Sequence, residues 1–228
     1  MKTFPLAAIP LFMILTVMAM APAARAATGD IALGARISSL GIGPDLTLGL
    51  SNQLNIRVAG HWGSYDVDGT SEDIDYECDL ELLSGLVSAE WFPLKGRSFH
   101  LVAGALFNGN NLEARGEITP GRTYTLGGTD YSGTDVGRLQ GDIDYNLVAP
   151  YVGLGWGNPV HKDSNWTFFL DLGVAYQGAA DVRLTASGAM ASDPEFQRNL
   201  QQEEEDLEDD LDRFNYYPVI ALGLTYKF

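Results

Sequence analysis

The chain has 228 residues, with 30 Asp and Glu against 14 Lys and Arg and a formal net charge of -16. So acidic a surface repels phosphate backbones and excludes nucleic-acid binding or anionic-lipid binding through a basic patch. Cys78 is the sole cysteine, which excludes an intrachain disulfide.

The amino terminus reads as a targeting segment. Lys2 gives a positive start, Leu6 to Met20 is an apolar run, and Ala24-Arg-Ala26 supplies a small-x-small cleavage pattern. The expectation is a secretory signal over 1–26, followed by one domain over 27–228. The run is shorter than a helical membrane span, and no later stretch approaches the roughly 20 apolar residues that a span needs. A membrane-embedded chain of this composition must therefore close a barrel, because only helices and closed barrels satisfy their backbone groups in lipid.

Eight stretches then alternate apolar and small or polar residues with a period of two. The first is Asp30 to Leu40, with Ile31, Leu33, Ala35 and Ile37 on the greasy parity. Gly41 to Pro44 reads as a tight connection. Next come Asp45 to Ser51 (Leu46, Leu48, Leu50) and Leu54 to Tyr65 (Ile56, Val58, Trp62). Asp66 to Glu72 reads as a polar loop. Asp73 to Phe92 carries Leu83, Val87, Ala89 and Trp91, and Ser98 to Ala114 carries Phe99, Leu101 and Phe107. A long Gly- and Thr-rich segment, 115–140, precedes the sixth stretch, Gly141 to Gly157 (Val152, Leu154, Trp156). The seventh, Trp166 to Leu184, alternates most cleanly, with Trp166, Phe168, Leu170 and Leu172 on the greasy parity and Thr167, Phe169, Asp171 and Gly173 on the other. The eighth, from about Asn215, ends the chain on Leu222, Leu224, Tyr226 and Phe228.

The connections after the second, fourth and sixth stretches are short. Those after the third, fifth and seventh are longer and more polar, as in outer-membrane barrels with short periplasmic turns. Both termini are then expected in the periplasm. Trp91, Trp156, Trp166 and Phe228 cluster beside the short turns, where an interfacial aromatic girdle belongs.

A soluble ligand-binding barrel would turn the greasy parity inward. Against that, the other parity carries Arg36, Arg57, His61, Glu90, His100, Asp171 and Lys227 among Gly, Ala, Ser and Thr. An eight-stranded barrel encloses just enough space for side chains. A lumenal charge network is expected, with Arg36, Arg57 and Lys227 pairing with Glu90 and Asp171.

In the last long connection, Ser192-Asp-Pro-Glu195 has the form of a capping box with Ser192 as N-cap. Phe196, Leu200, Leu207, Leu211 and Phe214 recur at helical spacing among many acids. One amphipathic helix is expected, Pro194 to Arg213, in an acidic insert over 192–213, with its apolar stripe on the barrel rim or over the mouth. Its carboxylates form a solvated face or contact divalent cations or lipopolysaccharide. Glu204 and Asp209 are weak cation-ligand candidates there. Asp66, Asp68 and Asp73 are others, in an oxygen-rich stretch that lacks the EF-hand spacing.

No motif for an enzyme is present. The histidines, His61, His100 and His161, accompany no Gly-x-Ser-x-Gly or His-Glu-x-x-His, and Cys78 has no metal-ligand companions. No cofactor is expected.

Ala24-Arg-Ala26, Val148-Ala-Pro-Tyr-Val-Gly-Leu-Gly-Trp-Gly157 and Ala221-Leu-Gly-Leu-Thr-Tyr-Lys-Phe228 resemble the small outer-membrane β-barrel proteins of Gram-negative bacteria. That superfamily holds outer membrane protein W, the OmpA transmembrane domain and the opacity proteins. The resemblance implies an all-β, eight-stranded antiparallel up-and-down transmembrane barrel in the outer membrane, with outer-membrane lipid and lipopolysaccharide around it. Recognition of the terminal Phe by the barrel-assembly machinery is also implied. Two roles remain open: a structural or narrow-passage barrel, and a surface interaction module using the acidic outer loops.

Overall fold

The computed structural model describes residues 29–71, 74–94, 98–117, 123–160 and 165–228. The expected signal segment, Asp73 and His161 lie outside them, as do the side chains of 67–76.

Eight antiparallel strands close a ring: β1 (Ile31–Ser38), β2 (Gly41–Ser51), β3 (Leu54–Ser71), β4 (Ile74–Trp91), β5 (Phe99–Asn108), β10 (Val148–Trp156), β11 (Trp166–Tyr176) and β13 (Tyr216–Lys227). β1 pairs with both β2 and β13, and β4 with β5, which seals the circle. Closure leaves no edge in the barrel wall.

Parity sorts the wall as the alternation anticipates. Phe168 is 79% exposed and its neighbour Phe169 is 3% exposed. Ile37, Val152, Trp166, Ile220 and Leu222 project outward, while Arg36, Glu90, His100, Asp171 and Thr225 are buried inside. That reverses the arrangement of a water-soluble barrel.

Aromatic belts bound the greasy wall. At the end with the short turns, Trp166 packs edge-on to Tyr226 and Phe99 to Trp156. At the other end Tyr176 packs against Tyr216. From Trp166 to Tyr176, ten steps of about 3.3 Å tilted by about 40° rise roughly 25 Å, the height of an outer-membrane apolar band.

Beyond the far belt, five strands continue as an outer sheet. The upper half of β4 leaves β5 and pairs with β6 (Asn111–Glu117), which pairs with β9 (Arg138–Asp144), which pairs with β12 (Asp181–Ala186). The upper half of β3 forms the opposite side. The fifth, sixth and seventh predicted stretches are thus two strands each: β5 with β6, β9 with β10, and β11 with β12.

Three local expectations change. Gly41 to Pro44 is not the turn. The turn is Ser39–Leu40, Gly41 opens β2 at φ 108°, and Pro44 pairs opposite Ala35. Proline offers no ladder donor, and the β2–β3 register passes from Ile42↔Trp62 to Asp45↔Ala59 across it. Asp66 and its successors to Ser71 are strand, since the β3–β4 hairpin continues to Ser71↔Ile74.

The third change concerns the helix. The expected helix, α2 (Pro194–Leu211), is capped by Asp193 rather than Ser192; its carboxylate accepts from the N–H groups of Glu195 and Phe196. Proline at the first position disfavours a helical residue before it, so Asp193 stays extended and becomes the cap. The final turn, Asp212–Phe214, tightens to a 3-10 turn. The 115–140 connection holds a hairpin, β7 (Thr123–Leu126) with β8 (Thr129–Ser132), and a single-turn α1 (Gly133–Val136).

Candidate functional site

Two regions carry the polar chemistry: the lower lumen and the outer sheet. In the lumen, Arg57 of β3 is the hub. Its Nη1 lies 2.8 Å from Glu90 Oε1 and 2.6 Å from Asp171 Oδ2, and its Nε donates to Thr47 Oγ1 at 3.2 Å. Arg36 reaches Asp171 Oδ2 at 2.9 Å and Asp45 Oδ2 at 3.1 Å. His100 Nε2 stands 3.1 Å from Asp171 Oδ1, and Asn55 donates to Glu90 Oε2 at 3.2 Å. Phe169 offers its ring to both guanidiniums, with centroids 4.3 Å from Arg57 and 5.1 Å from Arg36. Buried charges survive only when paired and hydrogen-bonded, and here β1, β2, β3, β4, β5 and β11 each supply a partner.

Glycines on the lumenal parity make this packing fit. Phe169 faces Gly223 across the β11–β13 pair, where a methyl group would meet its ring. A methyl group on Gly155 would strike the Asp171 carboxylate and the His100 ring.

Above the charged layer the lumen turns apolar. Leu40, Leu86, Leu106, Tyr151 and Val219 interlock in one buried cluster. The lumen is therefore filled at two levels. Arg57 is 1% exposed, and Glu90 and His100 are 0% exposed; side chains lining a water-filled channel would keep contact with solvent.

Of the five residues expected to form the network, Arg36, Arg57, Glu90 and Asp171 converge here. Lys227 stands half-buried at the end of β13. Asp45, Thr47, Asn55 and His100 join the group. Asp45 shares the lumenal parity of Thr47 and Gly49, a signal obscured by reading Gly41–Pro44 as the turn.

Glu90, His100 and Asp171 present their donor atoms within 4.8 Å of one another. Two carboxylates and an imidazole suit a metal ion chemically. The Arg57 guanidinium already bridges those carboxylates, and a second cation there would meet its charge.

Neither described histidine has the arrangement of a nucleophile's base. His100 Nδ1 faces the main-chain oxygen of Ser98 at 3.2 Å, not its hydroxyl. His61 Nδ1 lies 3.3 Å from Ser84 Oγ, but its Nε2 has no partner and the ring is buried.

In the outer sheet the outward parity changes from grease to acid at one level. On β4 it reads Trp91, Ala89, Val87 and Leu83, then Glu81, Asp79 and Glu77. On the chain of β9 and β10 it reads Trp156, Leu154, Val152 and Val148, then Asp144 and Asp142. Cross-strand register aligns Asp66, Asp79, Glu113 and Asp142 side by side, with Arg183 at the end. Directly opposed like charges cost roughly 0.2–1 kcal/mol per pair. Arg115 offsets part of this by reaching Asp79 Oδ2 at 2.8 Å and Glu113 Oε2 at 2.7 Å. Its hydrogen bond to Glu113, with that carboxylate's charge, holds its guanidinium further above the usual arginine value.

The opposite face of this sheet is apolar and continues the lumenal parity. Leu139, Leu184 and Ala186 pack there against Phe196 and Leu200 of α2 and Tyr131 of β8. The acids of α2 include edge caps. Glu204 Oε1 accepts the Leu184 N–H at 2.6 Å and Glu208 Oε1 accepts that of Val182 at 3.0 Å. The rise over the four residues from Glu204 to Glu208, about 6 Å, matches the two-residue repeat of the strand edge, about 6.6 Å. Glu203 Oε2 accepts the Gly127 N–H at 3.3 Å.

The described cation-ligand candidates, Asp66, Glu204 and Asp209, are not drawn together. Glu204 is committed to β12, and Asp209, five residues on, points about 140° away around the helix and is exposed. Asp66 is exposed on β3, whereas the Asp68 side chain and Asp73 lie outside the described region.

No protein-family model and no curated protein matches the chain. Solved structures do. CarO of Acinetobacter baumannii matches at TM-score 0.57 and 20% identity, over 86% of this chain and 97% of its own. CarO2 of the same organism matches at TM-score 0.60 and 19% identity, over 89% and 100%. A major outer membrane protein from Thermus thermophilus aligns over 88% and 99% at TM-score 0.40 and 13% identity, too distant to argue from. The fold is thus that of the CarO-like small outer-membrane barrels.

Proposed function

We propose that the protein is a non-enzymatic integral outer-membrane barrel, closed across its lumen, whose exchanges with the surroundings take place at the acidic outer sheet. The near-zero exposure of Arg57, Glu90 and His100 carries this reading. Two arginines, three carboxylates and Phe169 span the cross-section, and an apolar layer lies above them. The internal charge network acts as a structural plug in this reading, not as a selectivity filter. The short turns and both described chain ends lie at one end, which supports an orientation with that end in the periplasm and the five-stranded sheet outside. Export by the 1–26 signal and assembly through the exposed terminal Phe228 belong to the same reading.

Conductance across planar bilayers tests it. Purified wild-type protein should give no sustained stepwise current. Regular steps that persist in the wild type and scale with bulk ion conductivity would make it a narrow passage.

The aligned acids favour a second reading, an outward surface that binds cations or a cationic partner, or that meets lipopolysaccharide through bridging divalent cations. In that case the sheet face, with α2's Glu204 and Glu208 already committed to β12, supplies the charge. Replacing Asp79 and Asp142 with Asn should weaken cation-dependent retention of lipopolysaccharide by the purified barrel; unchanged retention removes the reading.

A further inference from the structure

The outer sheet has two edges, and they are treated differently. The β12 edge is covered: α2 lies along it and Glu204 and Glu208 take its N–H groups. The β3 edge is open. From Gly63 to Ser71, β3 pairs with β4 on one side. On the other, its pairing with β2 stops at Ile42↔Trp62, because the β1–β2 turn is only Ser39–Leu40. Gly41, the first residue of β2, still stands against Gly63; among the described residues no strand lies alongside Ser64–Ser71. A strand edge carries a row of N–H and C=O groups that are satisfied by water or by an added strand.

We infer that the free edge of β3, Ser64–Ser71, is a docking site for an extended, lysine- or arginine-bearing segment of a partner protein, which adds to the outer sheet as a sixth strand. Charge selects the occupant. Asp66 is exposed at this edge and stands in line with Asp79, Glu113 and Asp142. A strand laid against β3 extends that line. A second copy of the chain would set acid against acid in a molecule of net charge -16, whereas a basic residue opposite Asp66 relieves the repulsion already present. Tyr65, also exposed and on the other parity, offers an aromatic surface to the alternate side chains of the added strand. The inference rests on the outer sheet being the surface turned to water outside the cell.

The probe is a labelled nonapeptide of alternating Lys and Val, added to the full-length barrel in detergent micelles and followed by fluorescence anisotropy and amide hydrogen exchange. Two controls match it: a peptide with Pro in place of each Val, which keeps the charge but cannot add a strand, and an alternating Glu and Val peptide. The expected result is at least tenfold tighter binding of the Lys–Val peptide than of either control, with slowed exchange in 64–71 and none in 181–186. In Asp66→Lys the preference between the Lys–Val and Glu–Val peptides should reverse. Equal binding of the Pro control, protection confined to β12, or unchanged preference in Asp66→Lys overturns the inference. Labelling of Asp66→Cys in a Cys78→Ser background by an impermeant maleimide on whole cells separates the two levels. A labelled edge that binds no peptide ends this inference alone, and an unlabelled edge ends the outward orientation beneath it.

Discussion

Replacing Asp171 with Ala removes the lumenal carboxylate that lies nearest the Arg57 guanidinium, at 2.6 Å. It takes one partner from Arg36 at 2.9 Å, one from Arg57 at 2.6 Å and one from His100 at 3.1 Å. Removing one member of a buried charge pair costs roughly 3–5 kcal/mol, because the other charge is left stranded. Here Arg36 keeps Asp45 at 3.1 Å and Arg57 keeps Glu90 at 2.8 Å. The loss therefore falls at the lower end, about 3 kcal/mol. Asp171→Asn, which keeps the shape and some hydrogen bonds, should lose about 1.5–3 kcal/mol. Equilibrium urea unfolding in lipid vesicles, followed by tryptophan emission, reads both. Glu205→Ala, on the exposed face of α2, is the control. In the double variant Arg36→Met/Asp171→Leu, the loss should be smaller than the sum of the two single changes, since each stranded charge goes with its partner. An Asp171→Ala midpoint indistinguishable from that of Glu205→Ala would refute the lumenal network as a stabilising element.

Gly155→Ala should lower the unfolding midpoint by the equivalent of about 1–3 kcal/mol through overpacking against Asp171 and His100; a neutral result means the ring and carboxylate shift freely. Glu204→Ala combined with Glu208→Ala should speed amide exchange at Val182 and Leu184 while leaving barrel unfolding unchanged, because only the β12 edge loses acceptors. Phe196→Ala removes a fully buried ring from the α2 cluster. It should make the segment 192–213 sensitive to protease at concentrations that leave the barrel strands intact, as local cooperative units open separately.

Strand positions and facing were legible because a two-residue period leaves little choice once one face is greasy. Phe168 and Phe169 show it: identical residues, opposite faces, assigned correctly by parity alone. Partners are another matter. Leu83 and Glu81 lie on the same strand and the same face, yet β4 pairs with β5 below that level and β6 above it. Alternation marks that a segment is extended without naming its neighbour, so the branch into β6, β9 and β12 was hidden. Asp45 was missed for a local reason: Gly41, Gly43 and Pro44 carry turn chemistry, and here they sit in a strand beside a two-residue turn. The edge caps Glu204 and Glu208 looked like solvated acids, because nothing local says that a strand edge with free N–H groups lies one helical turn apart beside them.

The placement of one parity in lipid and the other in a closed lumen is tested most directly by tryptophan quenching at Phe168 and Phe169. In a background with the four native tryptophans replaced by Phe, Phe168→Trp and Phe169→Trp are each reconstituted into vesicles containing acyl-brominated lipid. Strong quenching at 168 and almost none at 169 is expected. Equal quenching at both, or stronger quenching at 169, would contradict it.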